Sequence, residues 1–283
     1  MKEYGFVPRK KWGQHFLVDR NILNKVVQTA EIDKEDVVLE IGPGLGVMTV
    51  ALARQARKVI AVEIDPQLVE ILGKKAVDSP NVEIVKGDIL KIDLNQFLDR
   101  EGAQIKVVAN LPYQVSAPLL FRFIQSKEIL STLTLMLQKE VAERMTASLG
   151  GKEYGPLSIF IQRSWNLSIR FFVKPSAFFP PPEVESAVVH IVPKEKPLLE
   201  LRDEEWFNQV VKGCFRYRRK TVINALKHSG LSLPQDLGRR IESIGIDPQR
   251  RPETLTVQEF AHLAETLNTQ DHVSSAALDV PEP

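Results

Sequence analysis

Four consecutive residues, Asn110 to Tyr113, combine side-chain types that can hold an exocyclic amine for reaction. The amine of adenine is a poor nucleophile because its lone pair is delocalised into the ring. The amide oxygen of Asn110 can accept one N–H of such an amine. Pro112 lacks an N–H and favours an extended conformation at Leu111. The carbonyl of Leu111 is then available to accept the second N–H of the amine. Tyr113 offers a ring for a displaced base, and such stacking is typically worth about 1–3 kcal/mol. The tetrapeptide favours chemistry on an adenine-like amine, although in isolation it would more often be a strand-terminating turn.

A glycine-rich segment, Glu40–Gly46, reads E-I-G-P-G-L-G and precedes a helix-like stretch. Glycines let the backbone turn sharply and approach a ligand closely. The spacing differs from the dinucleotide fingerprint, which would need its third glycine at the position of Val47. The carboxylate of Glu40 would repel a pyrophosphate but suits a cationic amino-acid group. The segment therefore indicates a ligand other than a dinucleotide.

Two further acids follow the next two predicted strands. Glu63 lies at the end of the second strand, where an acid can accept both hydroxyls of a ribose. Asp88 follows the third strand, in a position to accept from an adenine amino group. Together with Glu40 and the glycine loop, these acids predict a pocket for S-adenosylmethionine. The alternative is a glycine-rich turn with incidental acids, which a lone glycine motif often is.

Strand-like and helix-like segments alternate between residues 37 and 192. The predicted buried strands are Val37–Ile41, Val59–Glu63, Val82–Val85, Ile105–Ala109 and Thr132–Leu137. The predicted helices are Val47–Ala56, Pro66–Ala76, Ala117–Gln125 and Lys139–Ser148. This alternation predicts an α/β fold with a Rossmann-like, doubly wound parallel sheet. Ligands bind such sheets at the carboxyl ends of the strands, where the glycine loop, the acids and the tetrapeptide all fall.

The segments after residue 165 predict a sheet edge and then a second domain. Leu167–Val173 and Val184–Val192 are strand candidates that a long proline-rich loop would allow to pair antiparallel. Helical periodicity then follows in Glu204–Lys227, Leu237–Ile244 and Val257–Leu267. We therefore expect a catalytic domain at 1–195, a small helical domain at 196–268 and a disordered tail at 269–283.

Composition and charge narrow the class of protein. Cys214 is the only cysteine, so no internal disulfide or cysteine-based metal cluster is expected. The start of the chain is not a secretory signal and no segment is apolar enough to span a membrane, which predicts a cytoplasmic protein. The net charge of +1 hides two basic regions. Residues 1–25 carry a net +4 and residues 202–252 a net +5, while residues 253–283 carry −6. The basic regions suit a polyanion, or are solvated helix faces.

Together these features resemble the KsgA family of ribosomal RNA adenine dimethyltransferases along nearly the whole chain. Besides the glycine loop, the two later acids and the tetrapeptide, the shared segments are Gly13–Leu17, Ala177–Ser186 and Phe215–Lys220. The resemblance implies dimethylation at N6 of two adjacent adenosines in the hairpin near the 3′ end of 16S rRNA, in the small ribosomal subunit or its precursor. It also implies a role in small-subunit biogenesis and a monomeric enzyme.

The resemblance also assigns roles to individual residues. It implies cofactor contacts from His15, Leu17, Gly42, Gly44, Glu63, Asp88 and Asn110. Many members carry Asn at position 15, and either side chain can form a hydrogen bond. By the same analogy Phe178 or Phe179 stacks on the target base opposite Tyr113. Two consecutive residues of an extended segment cannot both face the pocket, and we favour Phe179 over packing of that residue in an edge strand.

Clustered cations are the candidates for RNA contact, since they release counterions on binding phosphates. The sequence places Arg216, Arg219 and Lys220 on one face of a predicted helix, with Arg218 partly turned away. Lys10 and Lys11 form a second candidate patch, or belong to a terminus that acts as a lid. We expect recognition mostly by RNA shape, with the target base out of its stack.

Three other functions fit parts of the pattern. An Erm-type large-subunit rRNA methyltransferase would share the cofactor loop and the Asn-x-Pro-Tyr site, but Leu111, the Phe-Phe-Pro-Pro-Pro segment and the basic stretch favour the small-subunit enzymes. A ribosome-assembly factor that acts by binding would not need an intact methyl-transfer site. DNA adenine or protein glutamine methylation uses similar Asn-Pro-Pro-Tyr sites, and the basic C-terminal segment argues against it.

Overall fold

A computed structural model describes residues 6–9, 13–112, 116–196, 201–217 and 219–268 of the chain. The predicted tail, 269–283, lies outside the described residues. Within these residues the nine strands are β1 (Phe16–Leu17), β2 (Val37–Ile41), β3 (Lys58–Glu63), β4 (Val82–Lys86), β5 (Ile105–Asn110), β6 (Leu130–Gln138), β7 (Trp165–Val173), β8 (Phe178–Phe179) and β9 (Ser186–Pro193).

The described residues contain eleven α-helices. They are α1 (Arg20–Thr29), α2 (Val47–Ala53), α3 (Pro66–Lys75), α4 (Asn95–Glu101), α5 (Ser116–Gln125), α6 (Lys139–Met145), α7 (Pro156–Ser164), α8 (Glu204–Phe215), α9 (Val222–Lys227), α10 (Leu237–Ser243) and α11 (Val257–Leu267). In this part of the chain no helix is both long enough and apolar enough to cross a bilayer.

The chain divides into two compact units. The first unit contains residues 1–143 and 165–194, and the second contains 144–164 and 195–283. Helix α7 therefore groups with the C-terminal helices, through contacts with α8 and α11. A division at a single position near residue 195, as the sequence suggested, does not describe this arrangement, because the second unit takes residues from before β7 as well.

The first unit is built on a seven-stranded sheet in the order β4-β3-β2-β5-β6-β9-β7. The five strands from β4 to β6 are parallel, and β9 runs antiparallel between β6 and β7. Every residue of Val37–Ile41 is buried, as expected for a strand covered on both faces. The predicted Rossmann-like α/β fold is confirmed, and the late strands pair antiparallel at one edge.

A second, two-stranded sheet joins distant parts of the first unit. Strand β1 pairs antiparallel with β8, with Phe16 opposite Phe179 and Leu17 opposite Phe178. The backbone N–H of Val18 extends the pairing by donating to the Ala177 carbonyl at 2.8 Å. Strands of two residues have no detectable periodicity, so the sequence pattern did not predict this sheet.

One predicted helix is wrong. The sequence suggested a continuous helix over Glu204–Lys227, but α8 ends at Phe215 and α9 begins at Val222. In a continuous helix, cations of residues 216–220 would lie three and four residues apart, where like charges are close together and destabilise the helix. The structure instead forms a turn, in which the N–H of Lys220 donates to the Tyr217 carbonyl at 2.8 Å. The first N–H of α9 donates to the carbonyl of Arg250 at 2.8 Å.

Candidate active site

A cavity of about 480 Å³ opens at the carboxyl ends of the parallel strands of the first unit. Its volume lies in the range of small-molecule sites. All seven predicted cofactor-contact residues line it: His15, Leu17, Gly42, Gly44, Glu63, Asp88 and Asn110. The walls also include Leu111 and Pro112 of the tetrapeptide. One cavity therefore collects residues from five separate segments of the sequence.

The three glycines of the loop each have a positive φ, between +57° and +75°. A side chain at Gly46 would meet Leu72 at 2.5 Å, and one at Gly44 would meet the ring of Phe16 at 2.9 Å. At Gly42, by contrast, the corresponding space is open. The last two glycines thus let the loop pack closely against its neighbours, while Gly42 keeps the cavity wall free of a side chain.

Glu63 is buried at the end of β3 and is held by backbone donors. One carboxylate oxygen accepts from the N–H groups of Ile64 and Asp65, both at 2.9 Å, and the other accepts from Gly44 at 3.2 Å. Burial raises the pKa of Glu63 although these backbone N–H groups oppose the change. The bond to Gly44 fixes the carboxylate relative to the glycine loop, where it can accept ribose hydroxyls.

Glu40 is fully buried at the end of β2 and lines the same cavity. Neither of its carboxylate oxygens, nor the buried hydroxyl of Thr49, has a hydrogen-bond partner among the described residues. Burial raises the pKa of Glu40 to about 8; the nearby hydroxyl of Thr49 opposes this increase, and the neighbouring carboxyl of Glu63 adds to it. Buried polar groups are normally paired, so an unpaired carboxyl in a cavity wall indicates a place for a ligand donor.

Asp88 lies two residues beyond β4. One of its carboxylate oxygens accepts from the backbone N–H of Leu90 at 3.0 Å, which fixes the side chain in a local turn. Its neighbours Gly87 and Ile89 also line the cavity. The three acids therefore stand at or just beyond the ends of three adjacent strands, in the order that the sequence pattern predicted.

The segment at residues 13–18, which we call the N-terminal strap, covers one side of the cavity. The side chain of Gln14 ties it to the loop after β3, by donating to the Asp65 carboxylate at 3.3 Å. The ring of Phe16 packs against Gly44 and makes an edge contact with Phe6. The strap brings His15 and Leu17 to the cavity, although they are more than twenty residues before the glycine loop.

Asn110 is the last residue of β5 and is half-buried. Its side-chain amide nitrogen donates to the backbone carbonyl of His15 at 2.9 Å. Because that nitrogen is engaged with the strap, the amide oxygen is directed away from it. The N–H of Leu111 donates to the Met136 carbonyl at 2.9 Å, which fixes the backbone just after the strand. Tyr113 lies outside the described residues.

The two candidate aromatic residues of β8 have different surroundings. Phe178 is 4% exposed and belongs to the apolar core beneath the sheet, whereas Phe179 is 50% exposed. Consecutive residues of a strand point to opposite faces, so burial of one leaves the other at the surface. Of the two rings, only that of Phe179 is accessible enough to stack on a base, but Phe179 does not line the cavity.

The residues present fit S-adenosylmethionine. Unpaired Glu40 suits an ammonium group, Glu63 suits a ribose diol, and Asp88 suits an adenine amine. The cavity also holds Arg20 and Lys75, which the sequence reasoning missed because neither belongs to a recognisable motif. Three carboxyl groups around one cavity would also oppose a pyrophosphate, in agreement with the sequence-based exclusion of a dinucleotide.

The candidate RNA-binding residues of the second unit lie in the basic turn, residues 216–220. Arg216 and Arg219 are exposed and Lys220 is half-buried, whereas Arg218 lies outside the described residues. The cations of Arg216 and Lys220 lie 5.9 and 5.2 Å from the ring centre of Tyr217, which is 37% exposed. The earlier candidates Lys10 and Lys11 also fall outside the described residues.

Comparison with known proteins identifies the family. The model of the family described as ribosomal RNA adenine dimethylase matches residues 5–269. The chain belongs to this family. It is 45% identical over 269 residues to ribosomal RNA small subunit methyltransferase A of Geobacter metallireducens, covering 94% of this chain and 98% of the relative. It is 43% identical over 272 residues to the protein of the same name from Shouchella clausii, covering 94% and 92%.

Solved structures agree with this membership. A dimethyladenosine transferase from Plasmodium falciparum matches with a TM-score of 0.75 and 30% identity, over 88% of this chain and 96% of that one. The 23S rRNA methyltransferase ErmE matches with a TM-score of 0.69 and 26% identity, over 89% and 99%. The predicted family, enzyme class and cofactor are confirmed: the protein is an S-adenosylmethionine-dependent rRNA adenine dimethyltransferase.

Proposed function

We propose that this protein dimethylates N6 of two adjacent adenosines in the hairpin near the 3′ end of small-subunit rRNA, acting as a cytoplasmic monomer. The assignment of the substrate to the small ribosomal subunit is supported by relatives that are named ribosomal RNA small subunit methyltransferase A and are 41–45% identical to this chain. The observation that carries the chemistry is the orientation of Asn110. Its amide nitrogen is held by the His15 carbonyl at 2.9 Å, so its oxygen is the atom available to a target amine.

The cofactor-side residues bind and orient. Glu63 accepts the ribose hydroxyls, Asp88 accepts from the adenine amine of the cofactor, and Glu40 takes its ammonium group. Bound S-adenosylmethionine supplies an electrophilic methyl group on a cationic sulfur. Because the reaction is an in-line displacement, holding the two reactants in register contributes most of the catalysis.

The target-side residues prepare the adenosine. Its two amine hydrogens are accepted by the Asn110 side-chain oxygen and by the Leu111 carbonyl, which localises the nitrogen lone pair. Tyr113 and the half-exposed Phe179 stack on the displaced base. No general base is required at the nitrogen, since the product can lose its additional proton to water. The cations of the basic turn, with Lys10 and Lys11, contact RNA phosphates.

A methyl-transfer assay tests this proposal directly. Labelled S-adenosylmethionine is incubated with under-methylated small subunits, large subunits or DNA, and the products are identified by mass spectrometry. We expect dimethyladenosine in small-subunit RNA alone. Label in large-subunit RNA would instead favour an Erm-type activity, to which the similarity to ErmE also points.

An assembly role through binding is the second candidate, and Asn110→Ala separates it from catalysis. The expected variant binds immature small subunits as the parent protein does, but does not methylate them. If subunit assembly in cells is normal with this variant, binding alone accounts for the assembly role.

A further inference from the structure

His15 is bound through its backbone to Asn110, which the proposed reaction uses, and through its ring to the loop that follows β8. Its backbone carbonyl accepts from the Asn110 side-chain nitrogen at 2.9 Å. Its ring Nδ1 is 2.8 Å from the backbone carbonyl of Pro180. Since a carbonyl can only accept, Nδ1 carries the hydrogen of this bond. One residue of the strap thus connects the end of β5 to the loop that follows β8.

The Pro180 carbonyl is itself well placed to act as an anchor. Pro180 directly follows Phe179, which pairs with Phe16 between β8 and β1. The N–H groups of Val18 and Asp19 both donate to the Ala177 carbonyl, at 2.8 and 3.3 Å. Backbone pairing on one side and the His15 ring on the other therefore fix the strap to this loop. The position of the His15 carbonyl follows from both attachments.

The direction of the Asn110 amide depends on that carbonyl. An amide rotated by half a turn would present N–H groups where the target amine needs an acceptor. The two orientations have the same shape, so hydrogen bonding alone distinguishes them. The His15 carbonyl accepts only from the nitrogen and therefore selects the orientation with the oxygen toward the target.

We propose that His15 is a positioning residue, which orients the Asn110 amide for the methyl-accepting adenosine through its carbonyl while its ring is held by Pro180. This inference rests on the proposed function and deepens it. It adds a role distinct from a direct contact between His15 and the cofactor. A cofactor contact alone would affect cofactor affinity, whereas orientation of Asn110 affects the turnover of fully bound enzyme.

The substitutions His15→Asn and His15→Gln test whether the bond between the His15 ring and the Pro180 carbonyl matters. The side-chain nitrogen of Asn occupies nearly the position of His Nδ1, whereas that of Gln reaches the position of Nε2. His15→Asn can therefore retain the bond to Pro180, and His15→Gln cannot without moving the strap. His15→Ala removes the ring bond entirely. His262→Asn makes the same chemical change at an exposed position of α11 and serves as the control.

The kinetic experiment measures kcat at saturating small-subunit RNA and S-adenosylmethionine, and the KM for each of the two substrates with the other at saturation. We expect His15→Ala and His15→Gln to lower kcat about fivefold to tenfold, the loss of one neutral hydrogen bond. His15→Asn should lose less kcat than His15→Gln, because it can retain the bond to Pro180, whereas the control His262→Asn should stay within about twofold of the parent enzyme, well below the energy of one such bond. A KM increase for the cofactor with unchanged kcat would overturn the proposal, and so would equal losses in the Asn and Gln variants.

A second readout does not depend on activity. Nuclear magnetic resonance of protein with 15N-labelled asparagine, assigned with Asn110→Asp, reports the Asn110 side-chain amide directly. We expect one of its hydrogens to exchange slowly with solvent in the parent and in His15→Asn, and quickly in His15→Ala. Unchanged exchange in His15→Ala would overturn the positioning role even if methylation is confirmed. If the parent protein does not methylate adenosine, the proposed function fails while this measurement still tests the orientation of Asn110.

Discussion

In the first unit the cavity acids Glu40 and Glu63 are buried, whereas in the second unit Arg216 and Arg219 of the basic turn are exposed. Glu63 is fixed by three backbone N–H groups at 2.9–3.2 Å. Arg216 has a distant contact to the Ser229 carbonyl, at 3.4 Å, and Arg216 and Lys220 lie near the ring of Tyr217. Hydrogen bonds therefore hold the Glu63 carboxylate in place without a ligand, whereas the contacts of Arg216 and Lys220 are longer and leave these side chains able to change conformation when RNA binds.

This difference matches the two tasks of an rRNA methyltransferase. Methyl transfer requires reacting atoms in a defined geometry, and misplacement is costly. Phosphate contacts are individually weak, are screened by salt and position the RNA without reading its bases. We therefore expect substitutions in the cavity to have large effects on turnover or cofactor affinity. Substitutions in the basic turn should have smaller effects that depend on salt.

Asn110→Ala should have the largest effect. Removing a positioned hydrogen-bond acceptor from the reacting group is expected to lower kcat by about 100-fold to 1000-fold. The measurement is single-turnover methyl transfer to small-subunit RNA at saturating cofactor. Asn166→Ala, at an exposed position of β7, is the control and should be neutral. A loss of less than about tenfold would mean that no acceptor essential to the transition state is at this position.

Glu63→Gln should weaken cofactor binding without a comparable effect on turnover. A hydrogen bond to a charged group contributes about 1.5–3 kcal/mol, so we expect a roughly tenfold to 100-fold higher Kd for S-adenosylmethionine. The amide also places an N–H donor against backbone N–H donors, which adds to the loss. Calorimetric titration measures the Kd, with the exposed Asp78→Asn as control. Equal affinities of parent and variant would exclude Glu63 from the ribose site.

The grouping of the three acids and the glycine loop around one cavity was predictable from the sequence because its determinants are local. Each acid stands at the end of an apolar strand, and the glycines belong to a short segment with characteristic spacing. The carboxyl ends of parallel strands meet at one edge, so the strand pattern alone brings Glu40, Glu63 and Asp88 together. Burial of the whole of Val37–Ile41 follows from the same pattern.

The target side was less predictable because it depends on pairing between distant segments. Nothing in the residues of the strap indicates that Phe16 lies opposite Phe179, 163 positions later. The basic turn was predicted as part of a helix because its residues have helical propensity. Its actual conformation depends on bonds such as that from Val222 to the Arg250 carbonyl, which sequence pattern cannot reveal.

Cofactor binding should depend on pH through Glu40. Its pKa of about 8 keeps it protonated at neutral pH in the free protein, and a bound ammonium group would favour the ionised form. Binding then releases a proton, so affinity should increase with pH between about 6 and 8, by up to about tenfold per unit. Calorimetry in buffers of different ionisation enthalpy measures the released proton.

Glu40→Gln separates this dependence from that of Glu63, whose pKa is also raised. The variant should bind S-adenosylmethionine with a flatter pH profile. Without cofactor, the parent protein should lose stability as the pH rises from the usual range of a carboxyl group toward 8, because the unfolded chain ionises first. Identical pH profiles of parent and variant would show that Glu40 does not receive the ammonium group.

The smallest effect is expected at the basic turn. Arg219→Ala should weaken RNA binding a few-fold and reduce the slope of log affinity against log salt by about one, because one phosphate contact is lost. Arg219→Lys keeps the charge and should retain the slope. Binding of small-subunit RNA at several salt concentrations measures both quantities, and kcat at saturating RNA should not change. A lower kcat would mean that this turn, despite its exposure, also orders the reacting groups, and the contrast between the two units would then fail.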